Sequence, residues 1–392
     1  MTWRPTFGKL SVAGRERGTL QATGAGPDGR TFHPLSQRTD AMSIEVILGN
    51  SNSRFSGVTS TMLQVLPEQR KRIEIAVMGE HNLPSDVPVV DFWDVVRIAR
   101  RPLPDGRTRV FHARRNDEMI QALLLRDVFG ADLRIVFTST AQRHHTRFTN
   151  WLMRRMDGLL STCRAAADFM QRPPDRIIPH GVDTSLYSPA QDRALAWGRL
   201  GLPGRYGIGI FGRVRAQKGV DVLIEAALPL LDRHPDATIV VVGEVTSRHE
   251  AFVSDLRARI DHAGHGDRVV FLGKQPFERV PELFRAMSLV AALSRNEGFG
   301  LTVPEAMSSG VAVLASEAGA WPEIVEDGVD GWIVPCGDVE ATRTRLADAM
   351  GALEKLTTMG ARGRARIERS YTVEREAREL VEYYRSIMER PA

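Results

Sequence analysis

Apolar positions along this chain recur with two alternating periods. Short apolar runs at Ile44 to Leu48, Ile73 to Met78, Thr108 to His112, Leu133 to Thr138 and Arg176 to Pro179 have the length and β-branched content of buried strands. Polar turns such as "NSNSRFSG" separate them, followed by segments of helical spacing, of which Thr59 to Leu66 is the first. The cycle restarts after a Pro/Gly-rich passage, "GRLGLPGRYG", with strands predicted at Gly207 to Phe211, Thr238 to Val242, Val269 to Leu272, Leu289 to Leu293, Val311 to Ala315 and Trp332 to Val334. Between the first two of these, Val220, Leu223, Ile224, Ala227 and Leu231 fall on one helical face. Strands interleaved with helices predict parallel, helix-covered sheets, so the expected fold class is α/β with two Rossmann-like domains facing each other across a cleft.

The length of 392 residues agrees, since it exceeds one ordinary α/β core. The expected boundaries are 42–195 for the N-terminal domain, 205–370 for the C-terminal domain and 371–392 for a last helix. That helix, Val373 to Met388, carries "LVEYYRSIM", an apolar and aromatic surface that must pack on something. Residues 1–41 lack sustained periodicity and precede a strand that follows Met42, which reads as a disordered leader or a start assigned too early.

Composition narrows the function classes. With 43% hydrophobic and 26% charged residues and no apolar run of membrane-spanning length, the pattern is that of a soluble protein. Two cysteines, Cys163 and Cys336, make neither a disulfide framework nor a cysteine metal site and point to a reducing cytoplasm. The net charge of +4 is concentrated toward the N-terminus: residues 42–190 hold 20 Lys+Arg against 16 Asp+Glu, whereas residues 191–392 hold 26 against 29. An excess this small, with no recognition helix, zinc motif or RNP-type aromatic strands, argues against a nucleic-acid partner.

"GIGIFG" at Gly207 to Gly212 matches G-x-G-x-x-G, but here the residues between the glycines look like the strand itself, whereas in a dinucleotide fingerprint they follow it. The better anion site is the turn after that strand, "GRVRAQKG". It carries Arg213 and Lys218 into a helix N-terminus, where backbone N–H groups and the dipole favour phosphate. Five lysines against 47 arginines make a lysine at this place less of a compositional accident.

Ser294 to Gly319, "SRNEGFGLTVPEAMSSGVAVLASEAG", holds two carboxylates around a glycine turn. Open α/β sheets bind ligands at such strand ends, and Gly298 and Gly300 let backbone amides approach a ligand. Thr302-x-x-Glu305 also reads as a capping box, with Thr302 as N-cap, so capping explains Glu305 as well as ligand binding does. Capping does not explain Glu297, whose carboxylate in a glycine turn suits polyhydroxyl recognition.

The "GR…KG" loop and the pair Glu297-x(7)-Glu305 together resemble the retaining glycosyltransferases of the GT-B fold, glycosyltransferase family 4, over essentially all of residues 42–390. The resemblance implies that Arg213 and Lys218 hold a donor diphosphate, and that the amides around Gly298, Phe299, Gly300, Leu301 and Thr302 meet the phosphate and sugar. It further implies that Glu305 binds the ribose and Glu297 the transferred sugar. "SNSRFSGVTST" is similar to the family's first glycine loop, placing Gly57 near the diphosphate. The family often has a histidine at the end of the strand that here reads "VFTSTAQRHH"; its nearest equivalent is Thr140, and of Arg143, His144 and His145 a few residues on, His145 is the catalytic candidate.

"FHARRND" (Phe111 to Asp117) and "VTST" also look like the lipopolysaccharide core mannosyltransferases of α-proteobacteria. This implies GDP-mannose as donor, a lipid-linked core oligosaccharide as acceptor, and work at the inner face of the cytoplasmic membrane. Nothing in the spacing selects guanine or mannose, so a UDP- or ADP-sugar, or a nucleotide-sugar epimerase, is the alternative. No cofactor or metal is expected, because no paired Asp or His cluster of ligand spacing lies near the site. The segment "TRFTNWLMRRMDGLL" sets Phe148, Trp151 and Leu152 among Arg147, Arg154 and Arg155, a pattern that fits an anionic membrane surface or an ordinary half-buried helix.

Overall fold

The computed structural model describes residues 41–54 and 56–390, so the expectation for the leader falls, apart from its last residue, outside the described residues. The first half builds a parallel sheet from β1 (Val46–Gly49), β2 (Ile75–Met78), β3 (Val89–Val90), β4 (Arg109–Ala113), β5 (Leu133–Ser139), β6 (Gly158–Ser161) and β7 (Arg176–Ile177), in the order β3-β2-β1-β4-β5-β6-β7. The second half builds another from β8 (Tyr206–Phe211), β9 (Ala237–Val242), β10 (Val269–Gly273), β11 (Met287–Ala292), β12 (Ala312–Ser316) and β13 (Gly331–Val334), in the order β10-β9-β8-β11-β12-β13. Every strand pair in both is parallel. The two-domain α/β expectation is met.

Alternation along the strands fills both faces of each sheet, as parallel sheets require. Ile47, Phe111 and Ile135 join one core cluster while Val46, Leu48, Val110 and Val136 join the opposite one. In the second sheet Ile208, Ile239 and Leu289 divide in the same way from Phe211, Val240 and Val290. The fingerprint-like glycines serve this packing: a Cβ at Gly207 would lie 2.2 Å from the Trp197 ring, and one at Gly209 2.7 Å from Phe211.

Two strands, and several helices including Arg193–Leu200, escaped the sequence reading. β3 spans only Val89–Val90, too short to show a period, and β6, "GLLS", has no β-branched residue. The helix Arg193–Leu200 lies in the passage read as a linker; its interior glycine and single buried residue, Trp197, conceal the helical pattern.

The helix Val373–Met388 packs on the first sheet, not the second. Ala377, Leu380, Val381, Tyr384 and Ile387 complete the cluster formed by Val46, Val110 and Val136. Full burial of each large side chain contributes roughly 1.5–3 kcal/mol, so this helix is integral to the first domain's core. The chain therefore passes twice between the halves, and the two passages are tied together. Val182 donates to Tyr371 O at 2.9 Å, and Val373 donates to Val182 O at 3.2 Å. Gly181 allows this approach, since a Cβ there would lie 2.2 Å from Thr372 O.

Candidate active site

The loops that leave the C-terminal ends of the strands enclose a cleft of ≈ 400 Å³. From the first half come Ser56 and Gly57 at the start of the helix Gly57–Arg70, Arg114 after β4, Thr138 and Thr140 at the end of β5, and His180 after β7. From the second come Lys218 after β8 and the stretch Glu297 to Thr302 with Glu305 after β11. A ligand in this cleft would be bounded by both halves, the usual place for one in open α/β sheets.

Lys218 closes a short 3-10 turn, Ala216–Lys218, and Gly219 follows it at φ 71°. Glycine is required there, because a Cβ would lie 2.0 Å from Leu293 O. The turn is thereby pressed against the end of β11, and Lys218 Nζ donates to Oε2 of Glu297. Ser294 Oγ donates to the same oxygen at 3.1 Å, and the Gly298 N–H to Oε1 at 3.3 Å. Glu297 is thus held by a cation, a hydroxyl and an amide while still lining the cleft. The turn is braced from the other half: Gln142 Nε2 donates to Gly298 O at 3.4 Å, and its Oε1 accepts from Gly319 N at 3.2 Å.

Glu305 departs from the sequence reading. The helix is Thr302–Ser308, its N-cap is Leu301, and no side chain caps it, so the Thr302–Glu305 capping box does not form. The Glu305 carboxyl lies instead beside the Tyr187 phenol and the Gln64 amide, which reaches over from the first half. Burial pushes its pKa up to about 7 against the opposing effect of those two hydrogen bonds. The same burial, with Glu305 beside it, pushes the Tyr187 phenol well above its usual range.

The remaining candidates separate. Gly57 lines the cleft, and a Cβ there would meet no protein atom within 4 Å. Arg115 fixes that loop, donating to Ser56 Oγ at 2.9 Å and Thr59 Oγ1 at 3.4 Å. Phe299, Gly300, Leu301 and Thr302 all line the cleft. Arg213 does not: its side chain is exposed on the loop after β8, while Arg215, half-buried on the same loop, is the one whose charge feels Glu297. His145 is also absent from the cleft wall. Its Nε2 pairs with Ser139 Oγ at 3.1 Å, and burial beside Arg143 and His144 lowers its pKa.

Four residues in the cleft wall or beside Glu305, namely Arg114, His180, Gln64 and Tyr187, were not assigned from the sequence. Arg114 belongs to the quoted "FHARRND" motif, and its Nη1 is buried without a protein partner. Gln64 sits on a helix face and Tyr187 in a loop, where no local pattern marks either. His180, in "IIPHGVD", had no spacing signal. Among the described residues no three His, Cys, Asp or Glu side chains come together as a metal site, and no helix is long and apolar enough to cross a membrane.

Comparison with known proteins agrees with this geometry. The family described as "Glycosyl transferases group 1" matches residues 202–366. Over 354 residues the chain is 41% identical to the lipopolysaccharide core biosynthesis mannosyltransferase LpsB of Rhizobium meliloti (strain 1021), covering 89% of this chain and 99% of that one. Over 350 residues it is 40% identical to the lipopolysaccharide core biosynthesis mannosyltransferase LpcC of Rhizobium leguminosarum bv. viciae, covering 89% and 98%. In fold it is similar to Anabaena Alr3699/HepE, solved in complex with UDP, with a TM-score of 0.76 at 21% identity over 88% of this chain and 100% of that one. Sucrose-phosphate synthase from Thermosynechococcus elongatus is similar in fold too, with a TM-score of 0.69 at 18% identity over 88% and 99%. The chain belongs to the group 1 glycosyl transferases and is a glycosyltransferase of the GT-B fold.

Proposed function

We propose that this enzyme transfers mannose from GDP-mannose to a lipopolysaccharide core or related lipid-linked acceptor, with retention of configuration. The observation that carries the reading is the convergence of Lys218, Glu297 and the glycine turn on one cleft, opposite Gly57. Mannose and the core acceptor come from the names of the two rhizobial relatives, each matched over nearly its whole length.

In this reading Lys218 faces the donor diphosphate, with Arg213 adding charge from the loop surface, and the amides from Phe299 to Thr302 take phosphate and sugar oxygens. Glu297 accepts from hydroxyls of the transferred sugar and Glu305 from the ribose. Gly57 leaves room for the diphosphate, which fits the open space in front of it. The leaving diphosphate helps take the acceptor proton, so no enzyme nucleophile is needed. Catalysis then rests on donors already aimed at the growing negative charge. No metal takes part.

The acceptor would be met at a membrane. On the helix Arg147–Arg154, Phe148 and Trp151 are 52% and 46% exposed and their rings stack with centroids 6.0 Å apart. Arg155 lies over Trp151, its Cζ 5.4 Å from the ring centroid. Exposed aromatics among arginines suit the headgroup layer of an anionic bilayer, which supports a working position at the inner face of the cytoplasmic membrane.

Thermal shift with GDP, UDP and ADP at equal concentrations tests the donor. A ligand at 100 times its Kd adds roughly 2.7 kcal/mol of stability. Selective stabilisation by GDP is expected. Selective response to UDP, the nucleotide bound in the HepE structure, or to ADP overturns GDP-mannose, and donor consumption without acceptor to give an isomerised sugar would mark an epimerase.

A further inference from the structure

His180 stands in the cleft wall at the first passage of the chain between the two halves. Its Nδ1 lies 2.8 Å from Oε1 of Glu376, a residue of the helix Val373–Met388 that follows the second passage. The other oxygen of Glu376 accepts from the Gly181 N–H at 2.7 Å. With both oxygens accepting, the carboxylate holds a proton on Nδ1, and in a ring that carries that proton alone Nε2 is an acceptor. The face of the ring is set as well: it meets Phe299 of the glycine turn edge-on, with centroids 5.2 Å apart. Glu376 is only 6% exposed, and a small chamber of ≈ 20 Å³ lies behind the ring, lined by Glu376, His112, Arg114 and Thr162. His180 lines both that chamber and the cleft, as do Thr61, Arg114 and Thr138.

A ring orientation fixed by a buried carboxylate exceeds what packing needs. We infer that His180 is a catalytic residue whose Nε2 accepts a hydrogen bond from a hydroxyl of the transferred sugar, and that Glu376 is its positioning residue. The inference rests on the cleft being the donor site, as proposed above. It also assigns a role to the last helix: besides completing the first domain's core, it aims an imidazole into the cleft. Sugar hydroxyls suit this nitrogen because it has a lone pair to offer, whereas phosphate oxygens have only lone pairs themselves.

The pair can be tested without dismantling it. His180→Asn keeps an N–H for Glu376 and removes the Nε2 side of the ring; Glu376→Gln keeps an acceptor for Nδ1, and Glu376→Ala does not. Three readouts separate the roles: thermal unfolding, binding of GDP, UDP and ADP by thermal shift, and steady-state turnover of whichever nucleotide sugar the wild type uses. The expected result for His180→Asn is an unchanged melting temperature, unchanged nucleoside diphosphate affinity, and kcat lowered ~10²-fold, the scale of losing one preorganised transition-state contact. Glu376→Gln should stay within a few-fold of wild type. Glu376→Ala should fall to the level of His180→Asn, and the two changes together should cost no more than either alone, because they remove one interaction.

Turnover of His180→Asn within about twofold of wild type, beside a wild type that binds nucleotide and transfers sugar, overturns this inference alone. A parallel loss of stability and nucleotide binding with unchanged kcat also overturns it, since that is the signature of a merely structural hinge contact. A wild type that binds none of the three nucleotides removes the donor-site reading, and this inference falls with it.

Discussion

Lys218 and Glu297, 79 residues apart in the chain, are joined by a charge-assisted hydrogen bond between the loop after β8 and the loop after β11. Their side chains are 20% and 17% exposed, so the pair is largely removed from water but open on the cleft side. The strand order brings them together: β8 and β11 are neighbours in the sheet, and in a parallel sheet both loops leave from the same edge. The pair ties the two loops together and presents a cation and a carboxylate to one cleft.

Removing the cation should therefore show in turnover more than in stability. Lys218→Ala is expected to lower kcat by ~10²-fold or more. Arg213→Ala, which removes an exposed charge beside the cleft, should cost less. Steady-state kinetics of the two variants checks the order, and equal near-normal turnover in both removes the phosphate-clamp assignment.

Glu305 should tilt the pH dependence of stability. Its carboxyl is raised from 4.5 to about 7 in the folded protein, so between those values the folded state holds a proton that the unfolded state has lost. The stabilisation is complete below about pH 4.5 and is lost as pH rises through about 7, by roughly 3 kcal/mol at the most. His112, kept neutral chiefly by burial and then by the charge of Arg114, tilts the curve the other way below 6.5. The difference between wild type and Glu305→Gln isolates the glutamate: denaturant unfolding at pH 5 and pH 8 should show the variant gaining relative stability at the higher pH. A difference independent of pH would contradict it.

Two glycines should behave oppositely. Gly300 has φ 76°, and a Cβ there would lie 2.5 Å from Trp321 Nε1 and 2.7 Å from Glu297 Cγ. Gly300→Ala should cost roughly 2–4 kcal/mol from the left-handed backbone and overpacking combined. Gly57→Ala meets no protein atom and improves helix propensity, so its melting temperature should hold or rise slightly while nucleotide affinity falls. Thermal unfolding with and without nucleotide reads both; unchanged affinity in Gly57→Ala would remove the diphosphate from that loop.

The aromatic and basic helix predicts membrane binding that salt weakens. Flotation with anionic vesicles should show reduced binding for the Arg154/Arg155 double alanine variant and for Trp151→Ala. Arg155 also pairs with Asp127, so each variant's melting temperature should be measured alongside. Binding equal to wild type in both would sink the membrane assignment.

By itself the sequence determined what depends on neighbours along the chain. The strand-length runs of β1, β2, β4, β5 and β7 to β13, the helical face from Val220 to Leu231, and the bounds of the last helix were all legible, because the length of an apolar run and the spacing of a helical face are set by residues close in the chain. The glycine turn around Glu297 and the lysine at the end of its loop were legible for the same reason, since turn chemistry is local. What depends on distant partners was not. Only the tertiary structure decided that Glu305 faces Tyr187 and Gln64 rather than capping its own helix, because a buried carboxyl takes the donors that packing brings to it. It also decided that Arg213 stays at the surface and that His145 turns to Ser139, while His180 stands in the cleft held by a glutamate 196 residues away. Spacing in a sequence cannot report a contact made where two passages of the chain meet; the strand order and the closing helix make it.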